Sequence, residues 1–494
     1  MSETLTENQG AAASLEVSDF EKLLNAEFKP KSAEADSAVK DAVQTLVQQA
    51  LSNANLISDN AIKTIEGMIA ELDKKLSAQV NEIIHHPNFE QLESAWRGLS
   101  YLVNNTATSS TLKIRVLNIS KKDVQKTLKK FKGTSWDQSP LFKMLYENEY
   151  GTAGGEPYGA IIGDYYFNQS APDIEMLRGM AQIAAAAHAP FISAADPSMF
   201  NLDSWQELAN PRDLTKLFST PEYAAWRSFR DADDSRYVAL TLPRVLSRQP
   251  YGPDTEPVEG FDFVEDTAAG NSERYNWMNA AYAMGANINR SFADFGWCAH
   301  IRGVESGGVV ENLPTHSFPT DDGGVATKCP TEIAITDRRE AELSKNGFLP
   351  LCYWKNTDYA VFLGGQTVNK PQEYDNPDAT ANASLSARLP YIFATARFAH
   401  YLKCIVRDKI GSFKEREDMQ RWLSDWISNY VTSDPNASEE VKAKYPLAEA
   451  QVVVEEIEGQ PGYYNAKFYL RPHYQLEGLT TSLRLTTKLP SAGK

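Results

Sequence analysis

The sequence is 494 residues long, 42% hydrophobic and 23% charged, with a formal net charge of -16. That length is more than one ordinary core can use and predicts roughly two to four packing units, in a composition typical of folded soluble chains. The acidic balance argues against a general nucleic-acid binder, which needs a basic face against phosphate, and suits a chain that meets a basic partner surface.

Residues 1–14 are polar and Ala-rich and are expected to be disordered. The start is acidic and lacks the basic stretch and apolar run of a secretory signal. No run approaches ~18 apolar residues, so direct membrane insertion is not expected. In Leu15–Phe28, Phe20, Leu23, Leu24 and Phe28 fall on one helical face, and Ser18 with Glu21 has the spacing of a capping box. Lys29-Pro30 ends the segment. A helix this short is marginal in water. It docks either on its own domain or in a partner's groove.

Residues 34–85 predict two helices. In the second, Ile62, Ile65, Ile69, Leu72, Leu76, Val80 and Ile83 recur at steps of three and four, the seam of a helix packed along another helix. That other helix belongs either to the chain's own core or to another chain. Pro87 closes the helix. His85-His86 before it reads as a cap, because cations suit a helix C-terminus and adjacent helical side chains diverge too far to share a metal.

From about residue 110 the pattern changes. Leu112–Ile119 alternates and predicts a strand; Lys121–Phe131 predicts a helix. Tyr158–Gly163 is a short buried strand, Asp173–His188 a helix, Pro190–Ser193 and Tyr237–Pro243 further strands. Alternating strands and helices argue for a central α/β domain. Turn-rich segments follow at 249–253, 306–308 and 321–324. Leu389–Phe413 and Met419–Val431 predict two helices, the second with Trp422, Leu423, Trp426 and Ile427 on its apolar face. Strands follow at 451–457 and 463–471, forming a hairpin with one buried face, and a third at 479–487. The fold class is therefore mixed α/β: a helical N-terminal region, central α/β domains, and C-terminal helices plus a small β-sheet.

A search for chemistry finds no Walker A loop, no HExxH and no GxSxG elbow. Gly151–Gly155 has no Lys-Ser/Thr after it, so it is no phosphate cradle. The carboxylate groups Asp231–Asp234, Glu265-Asp266 and Asp321-Asp322 sit in turn-like contexts and read as solvated loops. Cys298, Cys329, Cys352 and Cys404 form no CxxC pair; they read as reduced thiols of a cytosolic chain, small buried apolar groups rather than zinc ligands. No cofactor is expected. Three readings stay open on the residues alone: a structural assembly subunit, a cytosolic carboxylate-based hydrolase with a helical oligomerisation arm, and an adaptor whose tail docks a chaperone-like ATPase.

Several blocks carry a resemblance that covers nearly the whole chain. They are Leu15–Phe28, Phe89–Leu102, Ala280–Asn289, Ser317-Phe318-Pro319, Cys329–Glu332 and Asn346–Pro350. In their order and spacing the chain resembles the large subunit of the type VI secretion contractile sheath. Arg397–Gly411 and the elements after it are similar to the wider phage tail sheath family. The resemblance implies a non-enzymatic subunit that pairs with a small sheath subunit. The pairs stack helically around hexameric inner-tube rings on a baseplate, in the bacterial cytoplasm. Contraction drives the tube outward, and a Clp-class AAA+ ATPase then disassembles the sheath.

It also implies roles for particular residues. Leu15, Phe20, Leu23, Leu24 and Phe28 correspond to the helix bound by the ATPase, within a flexible tail at 1–32. Ile62, Ile65, Ile69, Leu72 and Leu76 fall in the helical region 33–110, which pairs with the small subunit. Lys403, Arg407, Asp408, Lys409 and Lys414 lie on or just after the helix that faces the tube; an ordinary solvated face is the competing reading. Val452, Val454, Phe468, Leu470, Leu483 and Leu485 belong to strands exchanged between neighbouring protomers. The central α/β sheath domains then span 111–388 and the C-terminal sheath core 389–494.

Overall fold

The computed structural model describes residues 61–210, 213–320, 322–411, 415–458 and 464–475. The chain divides into two compact units, one of residues up to Glu90 with Gln249–Tyr275, the other of Gln91–Arg248 with Asn276 onward.

In the first unit, the second predicted helix is present as α1 (Ala61–Ile84). Its end is tied down by Asn81, whose amide donates to the Val264 carbonyl at 3.2 Å and accepts from the Asp266 N–H at 2.8 Å. The buried Glu265 carboxylate accepts the Tyr251 N–H at 2.9 Å. Pro87 does more than end α1. It occupies the first turn of a second helix, α2 (Pro87–Asn104), where its missing N–H costs nothing. His86 accepts the Asn88 N–H at its Nδ1 (3.3 Å), so it caps the start of α2 rather than the end of α1, a correction to the cap expected from charge alone.

The second unit is built on a six-stranded sheet of order β1-β2-β3-β9-β10-β6. Helix α3 (Lys121–Lys130) leads, through a run of short turns, to strand β1 (Ile161–Phe167), helix α4 (Ala171–Ala187), β2 (Phe191–Ala195) and β3 (Val238–Leu242). Strands β4 (Val245–Leu246) and β5 (Trp277–Met278) form a small pair, followed by helix α5 (Ala280–Phe295), β6 (Val309–Val310) and the hairpin β7 (His316–Pro319) and β8 (Val325–Lys328). Helix α6 (Asp337–Lys345), β9 (Leu349–Tyr353) and β10 (Ala360–Phe362) complete the sheet. Strands β1, β2, β3 and β9 pair in parallel; β10 and β6 extend the sheet by antiparallel pairing.

Every residue of β2 and β3 is buried, which is why these segments read as continuous apolar runs rather than as alternations. Phe191, Val238 and Leu240 enter the core beneath α4; Ile192 and Ala239 enter the core beneath α5. The two polar side chains of β2 and β3 are satisfied: the Ser193 hydroxyl donates to the Gly163 and Tyr165 carbonyls (2.7 and 2.8 Å) beside the register shift in β1, and the Thr241 hydroxyl to the Ser193 carbonyl (2.9 Å).

The Cys329–Glu332 block packs beside β4. The Leu246 N–H donates to the Pro330 carbonyl, and Arg244 forks onto Glu332 with two bonds of 2.8 Å. Helix α2 is held by Arg248 on Glu93 (2.6 Å), and Arg97, one turn along α2, pairs with the same carboxylate at 3.0 Å. Burial works against the Glu93 charge, but Arg248 and then Arg97 keep its pKa below the usual value. The small residues of Ala280–Asn289 let α2 approach α5: a Cβ on Gly98 would run into the Tyr282 ring, and one on Gly285 would lie 3.1 Å from Leu102.

The predicted strand at 112–119 joins no ladder among the described residues. Helix α7 (Leu389–Lys409) is buried through its first half; α8 (Arg416–Ser428) packs on the hairpin of β11 (Leu447–Glu456) and β12 (Tyr464–Pro472). Trp297, Phe398, Leu423, Ile427, Leu447, Val452 and Val454 form that core. The alternation expected in the hairpin is present, with Val452 opposite Phe468 and Val454 opposite Ala466. The predicted third strand at 479–487 lies outside the described residues. Cys352 is buried as expected, Cys298 and Cys329 are half-buried, and Cys404 is exposed, because it faces outward on the solvent side of α7.

Gly98→Val should force α2 off α5. A loss of about 1–3 kcal/mol is expected from overpacking, read as a lower midpoint in chemical denaturation with the helix content of the folded baseline unchanged.

Candidate interaction surfaces

Helix α1 presents Ile69, Leu76 and Ile83, seven residues apart and 42–49% exposed, with Leu72 and Val80 half-buried beside them. Of the residues expected to meet a small subunit, Ile69 and Leu76 are thus open and Leu72 is partly covered; Ile62 and Ile65 lie on the same helix by position. On α2, Leu92, Trp96 and Val103 form a second exposed apolar stripe, with Trp96 66% exposed. The expected ATPase-binding residues Leu15, Phe20, Leu23, Leu24 and Phe28 lie outside the described residues, as do Lys414, Leu483 and Leu485.

The charged end of α7 is mostly committed within the chain. Lys403 Nζ stands 3.8 Å above the Tyr150 ring and 4.9 Å from that of Tyr146, and donates to the Tyr146 hydroxyl at 3.2 Å. Arg407 donates to the Thr152 and Tyr150 carbonyls at 2.9 and 3.3 Å. Lys409 lies 5.3 Å from the centre of the Trp422 ring, and Arg397 stacks on Phe292 and Tyr401. Asp408 is exposed. A cation over an aromatic face is attracted by the ring quadrupole and gains as water is excluded. These cations therefore seal α7 to the residues around Tyr150 and to α8. The Tyr146 and Tyr150 rings sit some 250 positions away in sequence from Lys403, so no local pattern announces them.

His400, one turn before Lys403, is buried in the same cluster. Its Nε2 donates to the Ala187 carbonyl at 2.8 Å, and its Nδ1 meets no hydrogen-bond donor, which fits a neutral ring. Burial drives its pKa down to about 4, against the Ala187 carbonyl, which holds it up; Arg397, His188 and Lys403 add to the depression. His188, at the left-handed C-cap of α4, lies edge-on to the His400 ring and 3.3 Å from the Tyr237 hydroxyl.

In the hairpin, Val452 and Val454 are buried against α8, and Phe468 and Leu470 are half-buried on the same face. Gln420 on α8 accepts the Val454 N–H at 3.2 Å, so α8 covers part of the outer edge of β11. Among the described residues no group of three or more His, Cys, Asp or Glu converges as a metal site. A small cleft between α7 and the end of β12 is lined by His300, Tyr391, Glu439, His473 and Gln475. No described helix is long and apolar enough to cross a membrane.

Comparison with known proteins gives two family matches laid end to end. Residues 66–369 match the family described as EvpB/VC_A0108, tail sheath N-terminal domain, and residues 378–489 match EvpB/VC_A0108, tail sheath gpW/gp25-like domain. The chain is 66% identical over 495 aligned positions to the type VI secretion system sheath protein TssC1 of Pseudomonas aeruginosa, covering 100% of this chain and 99% of the relative. Among solved structures, the anti-feeding prophage baseplate is 11% identical at a TM-score of 0.36, covering 79% of this chain and 86% of its own. The contracted sheath complex of an extracellular contractile injection system is 10% identical at a TM-score of 0.34, covering 63% and 68%.

Two outcomes test the α7 cluster. Lys403→Ala should cost the isolated chain about 1–2 kcal/mol, the worth of a desolvated cation over a ring, in urea denaturation; an unchanged midpoint would mean that the lysine is not an anchor. Because the folded His400 pKa lies below its unfolded value of about 6.5, its contribution to stability is full above that value. It falls away as pH drops from about 6.5 toward 4. His400→Gln should flatten that part of the stability profile, measured by denaturation at fixed ionic strength.

Proposed function

The chain belongs to the EvpB/VC_A0108 tail sheath family of type VI secretion systems, and from that premise we propose that it acts as the large subunit of a contractile sheath. The observation that carries this is the pair of consecutive sheath-domain matches over 66–369 and 378–489, together with 66% identity to a type VI sheath protein along the whole chain. A sheath subunit works by assembling, so its useful features are surfaces. Nothing in the comparisons favours the hydrolase reading.

The finer reading follows from the residues. The helical region 33–110 pairs with a small sheath subunit to make one protomer. The open apolar positions Ile69 and Leu76 support this, since a stripe at helical spacing is what a partner helix covers. The hairpin of β11 and β12, with its buried face on α8, offers backbone edges to neighbouring protomers, which strand addition extends without demanding a fixed side-chain fit. Protomers stack around an inner tube on a baseplate in the cytoplasm. Asp408, exposed near the end of α7, makes no ion pair among the described residues, and weak, hydrated contacts suit a tube that must be released.

Contraction needs no nucleotide site in this chain. Its energy is the difference between two packings of the same protomers, and a few kcal/mol each, summed along a lattice, drives the tube. The tail helix Leu15–Phe28 then becomes available to a Clp-class AAA+ ATPase through Phe20, Leu23, Leu24 and Phe28.

Negative-stain microscopy of the chain co-expressed with its small partner is the test. Long hollow tubules are expected. Discrete particles at every salt concentration and partner ratio would overturn the sheath reading. Removal of residues 1–28 should leave tubules intact while abolishing ATPase-driven disassembly in a light-scattering assay; tubules that still disassemble would place ATPase recognition elsewhere.

A further inference from the structure

Charge of a single sign gathers on each of two separate parts of this chain. On helix α3, Lys122, Lys126, Lys129 and Lys130 lie at i, i+4, i+7 and i+8, so they share one face, and all four are exposed. They span about 12 Å of helix at 1.5 Å per residue. None of them makes an ion pair among the described residues, whereas Lys121 is held by Asp173 and Lys132 by Glu175, each at 2.7 Å. The helix beneath them is fixed. Val124 is buried and Leu128 packs against the same core, and the Ser120 hydroxyl accepts the Asp123 N–H at the helix start. Its apolar side is thereby used, which leaves none to enter a lipid surface.

The opposite sign collects in the segment between β4 and β5. Residues 249–266 contain six carboxylates and no lysine or arginine. Glu265 is buried; Asp254, Glu256, Glu259, Asp262 and Asp266 are exposed and make no ion pair among the described residues. This segment is anchored too. The Gly252 N–H donates to the Glu256 carbonyl at 3.1 Å, the Glu265 carboxylate accepts the Tyr251 N–H at 2.9 Å, and the Phe263 ring lies 6.1 Å from that of Tyr251 and 5.7 Å from that of Phe261.

The two arrays are opposite in sign and similar in number, and each stands on a fixed support. At a net charge of -16, copies of this chain repel one another at long range, so a contact between copies needs a local match of charge. The lysine face and the acidic segment supply one. Because the two patches differ, joining them leaves one of each unused at the ends. The contact therefore repeats head to tail instead of closing a dimer.

We propose that the lysine face of α3 binds a second copy of this chain through the exposed carboxylates of that copy's residues 254–266. The proposal rests on the sheath reading in taking copies to lie side by side, and adds which surfaces meet.

The test uses two differently tagged copies co-expressed with the small partner. One carries Lys126→Cys and the other Glu259→Cys, both with Cys404→Ser to remove the exposed native thiol. Mild oxidation should join the two tags. The yield should fall on the order of tenfold when the complex is oxidised in about 1 M salt, where charges are screened beyond about 3 Å. A yield no higher than that of a control pair with Glu373→Cys in place of Glu259→Cys would overturn the proposal, whether or not tubules form. So would a link from Lys126→Cys to the small partner instead of the second tag. Discrete particles in place of tubules bear on the sheath reading, and a link between the tags in those particles would still support this contact. Lys122→Glu, Lys126→Glu, Lys129→Glu and Lys130→Glu together should shorten the assemblies, and adding Asp254→Lys, Glu256→Lys, Glu259→Lys and Asp262→Lys to the same chain should lengthen them again. Loss without recovery, in chains that circular dichroism shows to be folded, would overturn the pairing; if either chain fails to fold, the cysteine pair decides.

Discussion

Burial of β2 and β3 on both faces is the constraint from which the second unit follows. A parallel pair covered on both sides has no solvent face, so each strand must be apolar throughout and each face needs a helix. Helices α4 and α5 supply those covers, and their own sequences answer the demand. Helix α5 is small and apolar over Ala280–Ala286, which brings it close to the sheet on one side and admits α2 on the other, where Gly98 meets Tyr282. The charges that hold α2, Arg248 and Arg97 on Glu93, are placed by that same approach. Ser193 and Thr241 show how little polarity the sheet tolerates: both hydroxyls are consumed by carbonyls within it.

The C-terminal region solves a different problem. Helix α7 leaves the core halfway along its length, and its exposed half is rich in cations. Four of them are placed on aromatic rings or backbone carbonyls rather than in water. These contacts anchor the outer half of the helix to the residues around Tyr150 and to α8. For a subunit whose work is assembly, this division has a consequence: much of the positive charge near α7 is held within the chain.

Much of this was legible in the sequence. The helices at 61–84, 121–130, 389–409 and 416–428 and the strands β1, β2 and β3 follow from periodicity and from apolar runs, whereas β6, β9 and β10 are not read there; the hairpin alternation at 464–472 marks which face is buried. Proline at 87 was read as a stop because it ends the helix before it; that it also opens the next depends on His86 offering its ring nitrogen to Asn88. The roles of Lys403, Arg407 and Lys409 could not be read, because their ring and carbonyl partners come from Tyr150, Thr152 and Trp422.

By itself, then, the sequence determined which segments are helix or strand, which faces are apolar, and through its ordered blocks the sheath family. These are local properties, set by side chains three, four or two residues apart. Only the tertiary structure decided which charges near α7 are held by rings and carbonyls of the chain, and that Leu112–Ile119, whose composition predicts a strand, joins no ladder among the described residues. A strand is completed by a neighbour, and a charge is neutralised by whatever the fold brings within a few ångströms; neither is encoded next to the residue it concerns.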